Sequence, residues 1–297
     1  MKKTGQFKNP EARQRYFALY EQAMRECPPP DEVFDVGCRH GTARVYRFGD
    51  GGQPTVLLPA LMATSVCYAQ LIPGLEGPVY AVDTLGEAGR SVQTAPFAGI
   101  RDRALGLDEV LAGLGLSDVL LVGGSTGGWH AVNQAIHAPD RLAGICLLDP
   151  TTVSAKFSAA TQRRALKAMV LNRDRDWRSF VAWSAGEDVF DQPAAQVIVA
   201  GIRSYRARIS LQTRPSDDAL RAIRTPVRAL FGGRSVVHDP VAAAANLRRL
   251  VPHAEVDVMP EAGHYLYLRP ADRQRIRDVL NDRVPGDSKP PGTPSFS

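Results

Sequence analysis

Apolar residues along this chain follow two periods. Short, almost unbroken apolar runs recur at TVLLP (55–59), PVYAVDT (78–84), DVLLVGG (118–124), GICLLDP (144–150), VRALFGG (227–233) and EVDVMP (255–260). Runs of this length, rich in aliphatic and β-branched residues, suit parallel strands buried on both faces. Between most of them the period becomes helical, at about 64–72, 100–115, 127–138, 240–251 and 270–281. Strands alternating with helices predict an α/β fold, with helices on both faces of a mostly parallel sheet. Ahead of this pattern, EVFDV (32–36) and ARVYRF (43–48) read as a hairpin across CRHG.

Two segments depart from the alternation. Residues 9–26 read as an amphipathic helix. Asn9 suits the N-cap and Pro10 the first helical position. Tyr16, Phe17, Tyr20 and Met24 recur at helical spacing, which predicts an arm (1–30) docked on the main body. Residues 151–222 show helical pattern and no clear strand, with Trp177, Phe180 and Trp183 close together. They predict a helical cap inserted into a core made of 31–150 and 223–283. The tail 284–297 is rich in Pro, Gly and Ser and is expected to be disordered.

Composition narrows the function classes. The chain has 297 residues, 44% hydrophobic, enough for one large core with an inserted cap. Its net charge is +5, but the basic residues are dispersed and not interleaved with aromatics. No nucleic-acid partner is expected. The four cysteines (Cys27, Cys38, Cys67, Cys146) form no CxxC pair, and Cys146 lies in an apolar run. No metal and no cofactor are expected. The start MKKTGQFKNP lacks an apolar signal region, and no run reaches membrane-spanning length. A cytoplasmic protein with reduced thiols, acting away from membranes, is the expectation.

The chemistry concentrates at LLVGGSTGGWHA (120–131). Gly123-Gly124-Ser125-Thr126-Gly127 fits G-x-S-x-G, and it sits between an apolar strand and a helix. That context strains a serine into a sharp turn and lifts its Oγ above the sheet. The following helix aims its positive end at the same point. The plain alternative is a glycine-rich turn. On these residues the chain resembles the α/β-hydrolase superfamily, from about 30 to 282. Its GHY near the C-terminus and DTLGEAGRS (83–91) add to the likeness. The latter is similar to the family's D-x-x-G-x-G-x-S with one extra residue before the second glycine. The layout is most similar to small bacterial carboxylesterase-like members.

The resemblance implies a triad. Its base would be His264, in MPEAGHYLYL between the last strand and the final helix. His130 reads as packing on the elbow helix, His137 suits that helix's negative end, and His238 carries no assignable role. The family usually places its acid where this chain has Ser235, in FGGRSVVHDP, and serine carries no charge. Two carboxylates could substitute. Asp149 ends the strand next to the nucleophile strand, 24 positions after Ser125. Two such strands end on the same rim, about 5 Å apart. Some family members, certain haloalkane dehalogenases among them, carry their acid there. Asp239 is the alternative, although Asp239-Pro240 also reads as a helix cap. A site with no acid stays open.

An oxyanion hole would use the backbone N–H groups of Thr126 and Leu61, the latter in Pro59-Ala60-Leu61-Met62 where the family commonly has His-Gly. Met62, Trp129, Trp177, Phe180 and Trp183 are candidates for an apolar pocket under the cap, with cap core as their plain alternative. The leading expectation is a serine hydrolase cleaving a small or medium apolar ester, lactone or thioester through an acyl-enzyme. An acyltransferase or cyclase using the same serine, and a non-catalytic ligand-binding relative, are the alternatives. The partner is a small acyl substrate, and the oligomeric state is left open.

Overall fold

In a computed structural model of the chain, residues 4–208 and 212–282 are described. The tail at 284–297 lies outside them. A two-residue strand β1 (Gln6–Phe7) leads into helix α1 (Pro10–Met24) and the hairpin β2 (Glu32–Cys38) and β3 (Gly41–Phe48). Then come β4 (Thr55–Leu58), β5 (Val79–Val82), the short β6 (Val92–Gln93) and α2 (Ile100–Gly113). The elbow region is β7 (Val119–Gly124), α3 (Thr126–His137) and β8 (Leu142–Leu148). Three helices follow, α4 (Ala159–Leu171), α5 (Asp174–Ala185) and α6 (Pro193–Ser204), then β9 (Tyr205–Arg206) and α7 (Asp217–Arg221). The chain closes with β10 (Val227–Gly232), α8 (Pro240–Leu250), β11 (Glu255–Met259) and α9 (Pro270–Asn281).

The main sheet runs β11-β10-β8-β7-β4-β5-β3-β2, with β6 beside β3. From β11 to β5 every pairing is parallel, and β3 and β2 complete the sheet antiparallel. The central strands β4, β5, β7 and β10 are buried along their whole length. Their runs are continuous because both faces are covered: one layer of core holds Leu57, Leu120 and Leu148, the other Val56, Leu121 and Leu147.

Register positions the site. In the β7–β8 ladder Gly124 is opposite Leu148, so Ser125 and Asp149 leave two adjacent strands side by side. In the β8–β10 ladder Leu148 is opposite Leu230, and Asp149 N–H donates to Leu230 O at 2.7 Å. The carboxylate therefore emerges between the nucleophile strand and β10.

The arm docks as its spacing predicts. Asn9 Oδ1 accepts Ala12 N–H at 2.8 Å, and Tyr16, Tyr20 and Ala23 are buried against Met62, Val66, Val197 and Tyr205. Two expectations change. The segment at 64–72 holds only a short 3₁₀ turn, Ser65–Tyr68, because Ser65 N–H and Oγ–H are drawn onto Asp83 Oδ1 and Pro73 stops continuation. The segment at 151–222 does contain a strand: β9 pairs antiparallel with β1, Gln6 opposite Arg206 and Phe7 opposite Tyr205, about 200 positions apart in the chain. Two residues against a distant partner leave no periodic signal.

Candidate active site

Sharp backbone turns set the reactive side chains. Ser125 has φ 53° and ψ −115°, and Asp149 has φ 45°, both in a region that L-residues rarely adopt. The glycines around Ser125 answer a close approach. A Cβ on Gly123 would lie 2.1 Å from Gly127 O, and one on Gly127 would lie 2.0 Å from Leu58 O. The small residues of the motif thus let the elbow press against the loop that follows β4.

The side chains form one chain of contacts. Ser125 Oγ lies 2.9 Å from His264 Nε2, and His264 Nδ1 lies 2.5 Å from Asp149 Oδ2. Asp149 is fully buried, and Ser125 and His264 nearly so. Nδ1–H directed at the carboxylate leaves Nε2 free to accept the serine proton, the tautomer a general base needs. Asp239 is elsewhere: its Oδ1 accepts Ala242 N–H at 3.0 Å, so it caps α8.

Asp149 has more donors than His264 alone. Ser235 Oγ–H donates to Oδ2 at 2.7 Å, and Gly232 N–H to Oδ1 at 3.1 Å. His238 Nε2 stands 3.3 Å from Oδ1, with both groups buried. Burial pushes the Asp149 carboxyl up, but contacts from His238 and His264 outweigh it and hold the group well below the usual carboxylate range. Ser235, which supplies no charge itself, becomes a donor to the carboxylate from the neighbouring strand. The contact of His238 was not legible in sequence, because it depends on where β10 ends relative to β8.

The oxyanion candidates face the same space. Thr126 opens α3, so its N–H has no partner one turn back. Leu61 follows β4, and both residues line a cavity of about 810 Å³ together with Ser125 and His264. Two connections fix this loop, neither visible as a motif. Tyr68 Oη–H donates to Leu58 O at 2.8 Å while accepting Gly124 N–H at 2.9 Å, tying the ends of β4 and β7. Glu87 Oε2 accepts Met62 N–H at 2.7 Å, and burial pushes this carboxyl up despite the nearby Arg103.

Helices α4 to α6 wall the cavity. Met62, Trp177 and Phe180 line it. Trp129 and Trp183 do not, which corrects two pocket candidates. Trp129 is buried in the opposite core layer, its Nε1–H donating to Thr213 O at 2.8 Å, because the first turn of α3 points that position beneath the helix. Trp183 turns to the outer side of α5, under the Arg164 guanidinium at 4.7 Å.

Known proteins agree with this architecture. A model of the alpha/beta hydrolase family matches residues 55–274, well over half of the chain. The chain belongs to this family. It is 26% identical over 288 residues to carboxylesterase YbfK of Bacillus subtilis, covering 93% of this chain and 96% of that protein. The crystal structure of that bacterium's carboxylesterase CesB (YbfK) superposes with a TM-score of 0.81 at 25% identity, over 91% of this chain and 98% of the other. The naproxen esterase of B. subtilis superposes at 0.83 with 24% identity, over 92% and 99%, a likeness of fold. No helix among the described residues is long and apolar enough to cross a membrane.

Proposed function

We propose that this α/β-hydrolase is a carboxylic ester hydrolase acting through Ser125, His264 and Asp149. The observation that carries the reading is the unbroken contact chain of 2.9 and 2.5 Å from Ser125 through His264 to Asp149, opening on an apolar cavity. Similarity to a carboxylesterase over almost the full length supports the same class.

The steps follow from the geometry. Ser125 Oγ attacks the acyl carbon and passes its proton to His264 Nε2. Asp149 holds Nδ1–H and stabilises the imidazolium as it forms. The carbonyl oxygen becomes an oxyanion, held by the N–H groups of Thr126 and Leu61; a lost donor of this kind costs about 3–4 kcal/mol. The C–O bond breaks, and His264 Nε2–H protonates the leaving alkoxide. Water then gives its proton to His264, attacks the acyl-enzyme, and releases the acid as Ser125 regains its proton. Residues 151–222 serve as the cap over this chemistry, with Met62, Trp177 and Phe180 offering apolar contact to a small or medium acyl compound.

The test is covalent labelling. A p-nitrophenyl phosphonate should release one equivalent of p-nitrophenol and add the mass of the remaining phosphonyl group, less one proton, to the peptide holding Ser125. Turnover of p-nitrophenyl butyrate should cease in parallel. Full activity with Ser125 unlabelled would overturn the assignment.

A further inference from the structure

The cavity above Ser125 has an uneven charge pattern. Its walls from Leu61, Met62, Phe157, Trp177, Ile198 and Ile202 are apolar. Among the described residues no aspartate, glutamate or arginine lines it, and apart from His264 the one ionisable nitrogen among them is that of Lys8.

Lys8 reaches this place through the β1–β9 ribbon. Gln6 is paired with Arg206 and Phe7 with Tyr205, and the ladder continues as Lys8 N–H donates to Ser204 O at 2.9 Å. Side chains alternate along a strand, so Lys8 falls on the same face as Gln6 and its partner Arg206. Arg203 lies one position before Ser204 and contacts Asp174 at 3.2 Å. Neither Lys8 nor Arg206 has a carboxylate partner among the described residues. Partial burial, then the charges of Arg203 and Arg206, draw the Lys8 ammonium below the ordinary lysine range. A cation held beside two others and facing an apolar cavity favours a negative ligand group.

We propose that the cavity takes esters in which an apolar arm ends in an anion, the arm lying along the apolar walls and the anion meeting Lys8 with Arg206 behind it. The inference rests on the esterase reading and adds the class of ester. Ligands with a cationic end are disfavoured by the same cluster, and a neutral apolar ester binds without the added attraction.

Steady-state kinetics on two matched series test it. In one the acyl arm varies: p-nitrophenyl half-esters of succinic, adipic, suberic and sebacic acids against p-nitrophenyl butyrate, hexanoate, octanoate and decanoate. In the other the alcohol arm varies: acetate esters of ω-hydroxy acids against those of the corresponding alkanols. The expected result is a KM advantage for the anionic member at one chain length in at least one series. It should be roughly fivefold at low salt and shrink as salt is raised. Lys8→Glu should invert that anionic-to-neutral ratio and Arg206→Glu should reduce it, with melting temperatures reporting that both variants fold. Neutral esters preferred at every length, or a ratio unmoved by either variant, would overturn the inference while leaving the esterase reading intact. Turnover of neither series, with Ser125 unlabelled by phosphonate, would overturn both.

Discussion

At the residue scale, the decisive group is Asp149. Its carboxylate meets His264 Nδ1, while Asp239 is occupied as the α8 cap. Asp149→Asn should lower kcat by about 10⁴-fold, the scale of losing a triad acid in serine proteases. Asp239→Ala should leave kcat/KM near the parent value and lower stability by about 1 kcal/mol, the worth of a helix cap. Steady-state rates and urea melts of the two variants distinguish them. The lowered Asp149 carboxyl also fixes a pH dependence. A carboxyl depressed by folding contributes stability above the unfolded value of about 4, lost only as pH falls through the folded value. The stability gap between the parent and Asp149→Asn should therefore stay level from neutral pH down to about 4 and narrow below it. Urea melts across that range check the sign. Burial pushes the Cys146 thiol up to about 12, so it should resist iodoacetamide until the chain unfolds, as peptide mapping would show.

At the scale of elements, the site depends on how strand ends meet. Tyr68 joins β4 to β7 by accepting from Gly124 and donating to Leu58. Tyr68→Phe leaves a buried N–H and a buried C=O without that hydroxyl, at a cost of about 1–3 kcal/mol. The same change loosens the loop carrying Leu61, so kcat should fall more than KM rises, read by urea melts and initial rates. Gly127→Ala should be worse. The added Cβ meets the Leu58 carbonyl at 2.0 Å, and a backbone atom cannot rotate away. Loss of soluble folded protein on expression, against normal yield for Ser125→Ala, is the expected outcome.

At the scale of the whole molecule, the arm is part of the body. Tyr20 Oη–H donates to Asp83 Oδ2 at 2.9 Å, and Asp83 in turn accepts from Ser65 and Arg90. The aromatic face of α1 thereby closes over the turn after β4 and over α6, and β1 carries Lys8 to the cavity. Removing residues 1–24 takes this face away, exposes the Met62, Val66, Val197 and Tyr205 side chains that it covers, and strips those bonds. The melting temperature should fall by roughly 10 °C or more, measured by scanning calorimetry against the full chain.

Much of this protein is determined by local sequence. The buried parallel strands are legible because burial on both faces demands continuous apolar runs, and the helices between them follow from their period. Ser125 and His264 stood out because the elbow needs small residues on either side of the serine and the histidine falls between the last strand and the last helix. The capping role of Asp239 is likewise local, resting on an aspartate followed by proline. What only the tertiary structure decided depends on register between distant strands. A one-residue change in the β7–β8 ladder would separate Ser125 from Asp149, and no local pattern encodes that alignment. The same holds for Ser235 and His238 gathering on one carboxylate, for Tyr68 between two strand ends, and for the β1–β9 ribbon. Trp129 and Trp183 show the limit from the other side. Helical spacing placed them near the site, but the direction in which each helix docks turned them away from the cavity. Propensity and burial act on each segment by itself, whereas the site is assembled from the ends of segments, where only packing sets the distances.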